Sequence, residues 1–232
     1  AKNPSSAEVY QKMIQSCKYF FEKNPVLVVS KLEEYNFGCD ICLNKSDECK
    51  KNKGKCCVKI DIAKLSSKIW LRDELNVVWG TENFTSVLFS KLYQCEINRL
   101  EIGNKVVVFD DLQLLTSTAK DIFYEFFFEF YDDSTVNASM KSILKLKNLG
   151  KVEYFCLINL PESLSAKVIS EFFKKFEHVK IRFHFNEDIS EDYKNQLDGL
   201  IDEIVESEIP NRIVEYDGQD EEKLKTMESR YF

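Results

Sequence analysis

Short apolar runs recur along this chain between stretches of helical periodicity, and this alternation constrains the fold more than any other feature. Val26-Leu27-Val28-Val29 is wholly apolar, as in a strand covered on both faces. Cys57 to Ala63 alternates in part through Val58, Ile60 and Ile62. Lys105 to Phe109 is a continuous apolar strand that ends in Asp110-Asp111. Val152 to Asn159 is a further buried run, and Val179 to Phe185 alternates with period two. Between these, 7–23, 68–78, 85–99, 119–131, 164–176 and 188–208 carry apolar residues at helical spacing. A short amphipathic stretch covers 140–149, 132–139 reads as a loop, and 210–232 is polar and weakly patterned. Strands separated by helices predict an α/β fold with a parallel sheet.

Glycine is what the chain lacks. Seven glycines in 232 residues is about 3%, against roughly 7% in average proteins, and no two lie closer than 16 positions. A phosphate loop G-x-x-x-x-G-K-[ST] and a dinucleotide fingerprint G-x-G-x-x-G both need closely spaced glycines, so that backbone N–H groups can approach phosphate. Neither can be built here, and the sequence implies no cofactor. The 44% hydrophobic content suffices for a sizeable core. No apolar run reaches the ~18–20 residues that span a bilayer, so no membrane role is expected. Ala1-Lys2-Asn3-Pro4 lacks the pattern of a signal peptide and reads as a cut inside a longer protein. With five of eight cysteines inside Cys39–Cys57, reduced thiols in the cytoplasm or nucleus are the expectation. A net charge of −7 argues against a nucleic-acid footprint over the whole surface, though not against a local basic patch.

An apolar strand that ends in Asp110-Asp111 would deliver carboxylates to the carboxyl edge of a sheet, where open α/β sheets bind ligands. Asp110-Asp111-Leu112-Gln113-Leu114-Leu115 followed by Phe123-Tyr124-Glu125-Phe126-Phe127 resembles the initiator branch of the AAA+ ATPases, where Walker B acids precede a Leu-Tyr-x-x-Phe helix. Phe155-Cys156-Leu157-Ile158-Asn159-Leu160-Pro161-Glu162 resembles that family's sensor-one strand, and Val179-Lys180-Ile181-Arg182-Phe183 its following strand. Val58-Lys59-Ile60-Asp61 and the Ile69-Trp70 stretch resemble the unit after the P-loop. The likeness covers roughly residues 7–190 and implies an AAA+-like sheet of P-loop NTPase type, flanked by helices. On that reading 1–24 is an N-terminal helix, 25–187 the α/β base, and 188–232 an acidic, partial or degenerate lid.

The departures from the family are specific. Ser30–Cys56 has the length of a P-loop and its helix, but holds only Gly38 and Gly54, and Cys56 stands where a magnesium-binding hydroxyl belongs. Asp111 replaces the family's usual Glu, and no lid arginine element follows Asp188. Asp110 and sensor-one Asn159 are all that is left of the nucleotide site, so the resemblance implies a degenerate site with no catalytic residue. An initiator-type fold without ATPase residues is similar to the AAA+-like domains of the yeast silent information regulator family, paralogous to the largest origin recognition complex subunit. That implies a nuclear scaffold of heterochromatin and telomeres, acting in transcriptional silencing. Its implied partners are histones in the nucleosome and the silencing protein silent information regulator four. The rival classes are an initiator-type ATPase and a zinc-dependent DNA-binding module.

Cys39-x2-Cys42-x6-Cys49-x6-Cys56 carries the last of these. It repeats the first four ligand spacings of the fungal binuclear zinc cluster, but Lys59 and Ser66 occupy the fifth and sixth positions, so two bridged zincs cannot be held. The first expectation is a cysteine-rich loop with Cys57 toward the core and no metal; one tetrahedral zinc on Cys39, Cys42, Cys49 and Cys56 is the alternative. Lys45, Lys50, Lys51, Lys53 and Lys55 form a basic patch that could touch DNA phosphates or an acidic histone face, or could be a solvated loop. His178 and His184 have no nucleophile beside them in sequence, and Phe126-Phe127-Phe128 is expected in the core.

Overall fold

Ser6 starts the first helix: its hydroxyl accepts the Val9 N–H at 3.3 Å, satisfying one of the donors that a helix start leaves open. The computed structural model that follows from this start describes residues 4, 6–35, 38–43, 46–51, 53, 55–78, 84–103, 109–125, 143, 145–146 and 149–231. The chain forms two compact units, 1–100 and 101–232. Both are α/β; the first combines parallel and antiparallel strand pairs, and in the second β7 to β10 are all parallel.

In the first unit, α1 (Ala7–Ser16) and the short α2 (Lys18–Lys23) precede β1 (Val26–Tyr35). Tyr10 joins helix to strand. Its hydroxyl donates to the Asn24 carbonyl at 2.6 Å and accepts the Val26 N–H at 3.2 Å, while its ring packs with Ala7, Val26, Val28 and Trp70. β1 runs parallel to β4 (Lys68–Val77), which runs parallel to β5 (Leu92–Cys95). On its other side β1 pairs antiparallel with β2 (Gly38–Cys42), and β2 antiparallel with β3 (Cys57–Ile60). A six-residue helix, α3 (Ser46–Lys51), lies between β2 and β3 in sequence, and α4 (Phe84–Lys91) precedes β5. β6 (Arg99–Gly103) crosses the boundary between the units.

The second unit holds α5 (Phe109–Leu115), β7 (Asp121–Glu125), β8 (Tyr154–Leu160), α6 (Ala166–Lys175), β9 (Lys180–Phe185), α7 (Glu191–Glu206), β10 (Arg212–Glu215) and α8 (Glu221–Tyr231). β7, β8, β9 and β10 lie side by side in chain order, each parallel to the next. Phe155 and Phe183 on the sheet meet Phe172 and Phe173 of α6, with ring centroids 5.4–5.7 Å apart for the Phe172–Phe183, Phe173–Phe183 and Phe155–Phe172 pairs. Arg212 sits fully buried at the end of α6 and donates to the carbonyls of Phe173, Phe176, Val179 and Asn211 at 3.0, 2.8, 2.5 and 2.8 Å. No helix among the described residues is long and apolar enough to cross a membrane.

Several expected elements are found in place: the strands starting at Val26 and Cys57, the strands at 154–160 and 180–185, and the helices at 166–175 and 191–206. Others are corrected. Residues 68–77 form a strand, because Ile69, Leu71, Leu75 and Val77, all fully buried, repeat with period two between two parallel neighbours. The helix expected over 85–99 stops at Lys91, and the chain turns into β5. Residues 121–125 form a strand whose alternate members Ile122 and Tyr124 are buried. The polar segment after Pro210 supplies β10, a strand of the parallel sheet rather than part of a lid. Phe126, Phe127 and Phe128, and most of 132–149, lie outside the described residues.

Candidate metal centre

Residues 30–57 hold an antiparallel hairpin where a P-loop and its helix would stand in a P-loop NTPase. β1 continues unbroken through Ser30 to Tyr35 and is followed at once by β2, so no helix leaves the carboxyl end of this first strand. Of the other nucleotide-site residues, Asn159 stands on its expected strand, while Asp110 and Asp111 stand in a helix. Asp110 and Asp111 sit in the first turn of α5, where the helix dipole favours their charge; residues 104–108, which hold most of the strand expected before them, lie outside the described residues. Asp110 is exposed; Asp111 has its carboxyl pushed up by partial burial and by the neighbouring Asp110. Asn159 lies within β8 at a left-handed φ of 58°, at the point where the register with β9 shifts between Leu157 and Leu160. Strand order β7-β8-β9-β10 follows chain order without reversal, so these strands have no switch point of the kind at which open α/β sheets bind nucleotides.

The hairpin brings together four thiols. Cys42 ends β2, Cys49 lies on α3, Cys56 stands in the turn before β3, and Cys57 opens β3. Cys42 and Cys57 are direct partners across the β2–β3 ladder, which puts both side chains on one face. The Sγ atoms of Cys42 and Cys56 are 3.2 Å apart, those of Cys49 and Cys57 3.3 Å, and all four lie within 4.8 Å of one another. Among the described residues this is the one group of His, Cys, Asp or Glu side chains that converges in this way. Tetrahedral zinc, with Zn–S of ~2.3 Å, needs sulfur atoms roughly 3.8 Å apart, so the four thiols sit close to that arrangement.

The set differs from the one spacing suggested: Cys57 belongs to it and Cys39 does not. Cys39 and Cys42 stand three residues apart on a single strand, and side chains three apart on a strand point to opposite faces. The Cys39 thiol instead donates to the Ile60 carbonyl at 3.6 Å, and burial pushes it up to about 11. Within the cluster the Cys57 S–H stabilises the Cys49 thiolate, which lowers the Cys49 thiol; Lys31 adds to the lowering from nearby. Cys57 is driven up to about 11, by burial first and then by the same bond to Cys49. Cys49 is therefore the first of this pair to become a thiolate, the form a metal needs.

Lys51, Lys53, Lys55 and Lys59 are exposed around this hairpin, together with the apolar side chains of Leu43 and Val58, 50% and 55% exposed. Lys45 lies outside the described residues, as does the side chain of Lys50. β3 has β2 as its one strand partner among the described residues, so its other edge carries Val58 and Lys59. His184 is half-buried on β9 and His178 precedes that strand; neither lies in the cysteine cluster. No family model matches the chain, and no curated protein and no solved structure matches it either.

Proposed function

We propose that this protein is a non-catalytic binding module that offers a lysine-bearing hairpin to a polyanionic partner. The observation that carries the reading is the exposed set Lys51, Lys53, Lys55 and Lys59 on one cysteine-clustered hairpin, in a chain whose net charge is −7. A local positive patch on an acidic protein draws in phosphates or acidic protein faces while the remaining surface repels them, which confines binding to the hairpin. Exposed Leu43 and Val58 add apolar contact beside the lysines. Support for the absence of catalysis comes from the hairpin that follows β1 where a P-loop and its helix would stand.

A narrower form of the proposal makes the module an AAA+-like scaffold of silencing type, nuclear, with histones, DNA and silent information regulator four as partners. Its support is the order of the sequence likenesses at Phe155–Glu162 and Val179–Phe183, which fall on consecutive parallel strands. The experiment titrates labelled duplex DNA and mononucleosomes with the protein over a series of salt concentrations, beside the K51E/K53E/K55E variant. Binding should weaken with salt, and the variant should lose about 3 × 0.9 of the log–log slope on DNA. Salt-independent binding, or a variant that binds like the parent, refutes the hairpin as the contact. Turnover of magnesium-ATP by the parent refutes the non-catalytic reading.

A further inference from the structure

We infer that Cys42, Cys49, Cys56 and Cys57 hold one zinc ion as four thiolates, and that this ion is what folds the hairpin around it. The first line of argument is geometric. Four sulfur atoms within 4.8 Å come from two strands, a helix and a turn, so one ion would tie four separate chain positions at a single point. Two disulfides, Cys42–Cys56 and Cys49–Cys57, would join the same atoms in pairs and leave the pairs unconnected; the convergence of all four is the arrangement a single tetrahedral ion requires.

The second line is energetic. α3 has six residues, and a helix that short is not stable alone in water. β2 has five residues and β3 four, and their buried apolar members are few: Cys39, Ile41 and Cys42 on β2, and Cys49 from α3. A segment with so little apolar surface of its own lacks the burial that would offset its ordering entropy. Small elements of this kind fold when a structural metal is bound, because the binding free energy is also their folding free energy.

The third line is electrostatic. Zinc with four thiolates carries a net charge of −2, and the cluster stands among cations. Lys51, Lys53 and Lys55 lie on the same short segment as the four thiols. The ion displaces the thiol protons, so assembly releases protons and becomes stronger as pH rises. The inference stands independently of the partner proposed above, since it uses only the thiols and the size of the hairpin.

The test uses the whole chain, purified under reducing conditions without added metal. Elemental analysis should find one zinc per chain, and replacement by cobalt(II) should give the visible bands of tetrahedral thiolate coordination. Alkylation followed by peptide mapping should find Cys42, Cys49, Cys56 and Cys57 protected with zinc and modified after chelation, with exposed Cys17 modified in both states. Cobalt binding should be lost in C42S and C57S and kept in C39S. If the serine variants fail to fold, the alkylation map of the unaltered chain decides alone. Sub-stoichiometric zinc without a tetrahedral cobalt spectrum overturns the inference. So do iron in place of zinc, two disulfides in the mass map, or protection that includes Cys39 and omits Cys57.

Discussion

Replacing Arg212 by Met should destabilise the second unit by about 3 kcal/mol. The guanidinium is 1% exposed and serves four carbonyls. Phe173 lies in the last turn of α6, where helix carbonyls have no partner within the helix, and Val179 begins the turn into β9. Leaving a buried acceptor unpaired costs about 1–3 kcal/mol, so the carbonyls of Phe173 and Val179 together put roughly 2–6 kcal/mol at stake. Loss of the positive charge from a helix C-terminus adds about 0.3–1 kcal/mol. Against this, Met relieves the cost of a buried cation, whose Nε has no partner and whose guanidinium burial pulls down to about 10. The sum leaves a net loss near the middle of the range. Neither tryptophan, Trp70 nor Trp79, lies within residues 101–232, so their fluorescence is not a direct probe of the second unit. Hydrogen exchange followed by mass spectrometry does. Amides of 173–185 and 212–216 should exchange on the order of 100-fold faster, since each 1.4 kcal/mol is tenfold. Lys at 212 keeps the charge but cannot reach carbonyls in several directions, so it should resemble Met. Acceleration below about tenfold in the Met variant, or full recovery with Lys, would refute the argument from carbonyl satisfaction.

Phe183→Ala should cost about 3–5 kcal/mol in urea unfolding followed by circular dichroism, because it removes the ring between Phe155, Phe172 and Phe173. Ser190→Ala removes the hydroxyl that accepts the Tyr193 N–H at 3.3 Å at the start of α7 and should cost about 1 kcal/mol in the same assay. Glu125→Gln should stabilise the protein at neutral pH. Burial and Glu101 raise the Glu125 carboxyl in the folded state, so ionised Glu125 opposes folding above that raised value; the penalty fades as pH falls through it. Thermal midpoints of the two proteins should therefore differ at pH 7 and converge in acid, and a gap that persists in acid contradicts the assignment. Zinc, by contrast, should be lost from the protein on acidification, as protons compete for the four sulfurs; a metal content that does not change with pH contradicts thiolate ligation.

Some of this architecture is written in the order of residues. Val26 to Val29, Val179 to Phe185 and the helices over 166–175 and 191–206 have burial periods distinctive enough to be read directly, since a strand repeats every 2 residues and a helix about every 3.6. The alternation of these elements was sufficient for an α/β fold with mostly parallel strands, and glycine scarcity excluded a phosphate cradle. Where a segment is buried on both faces, periodicity loses its information. Residues 68–77 carry apolar side chains that fit either period, and contact with β1 and β5 decides for the strand. Asp110-Asp111 reads in sequence as a strand end, and the structure places both residues in the first turn of α5.

The cysteine site divides along the same line. The clustering of thiols from Cys39 to Cys57 was legible, with a metal-free loop as the first expectation and one zinc as the alternative. Its membership was not. Whether Cys39 or Cys57 joins Cys42 depends on which face of β2 each side chain takes and on the register of β2 against β3. Backbone hydrogen bonds between strands fix that register, and the spacing of cysteines carries no record of them.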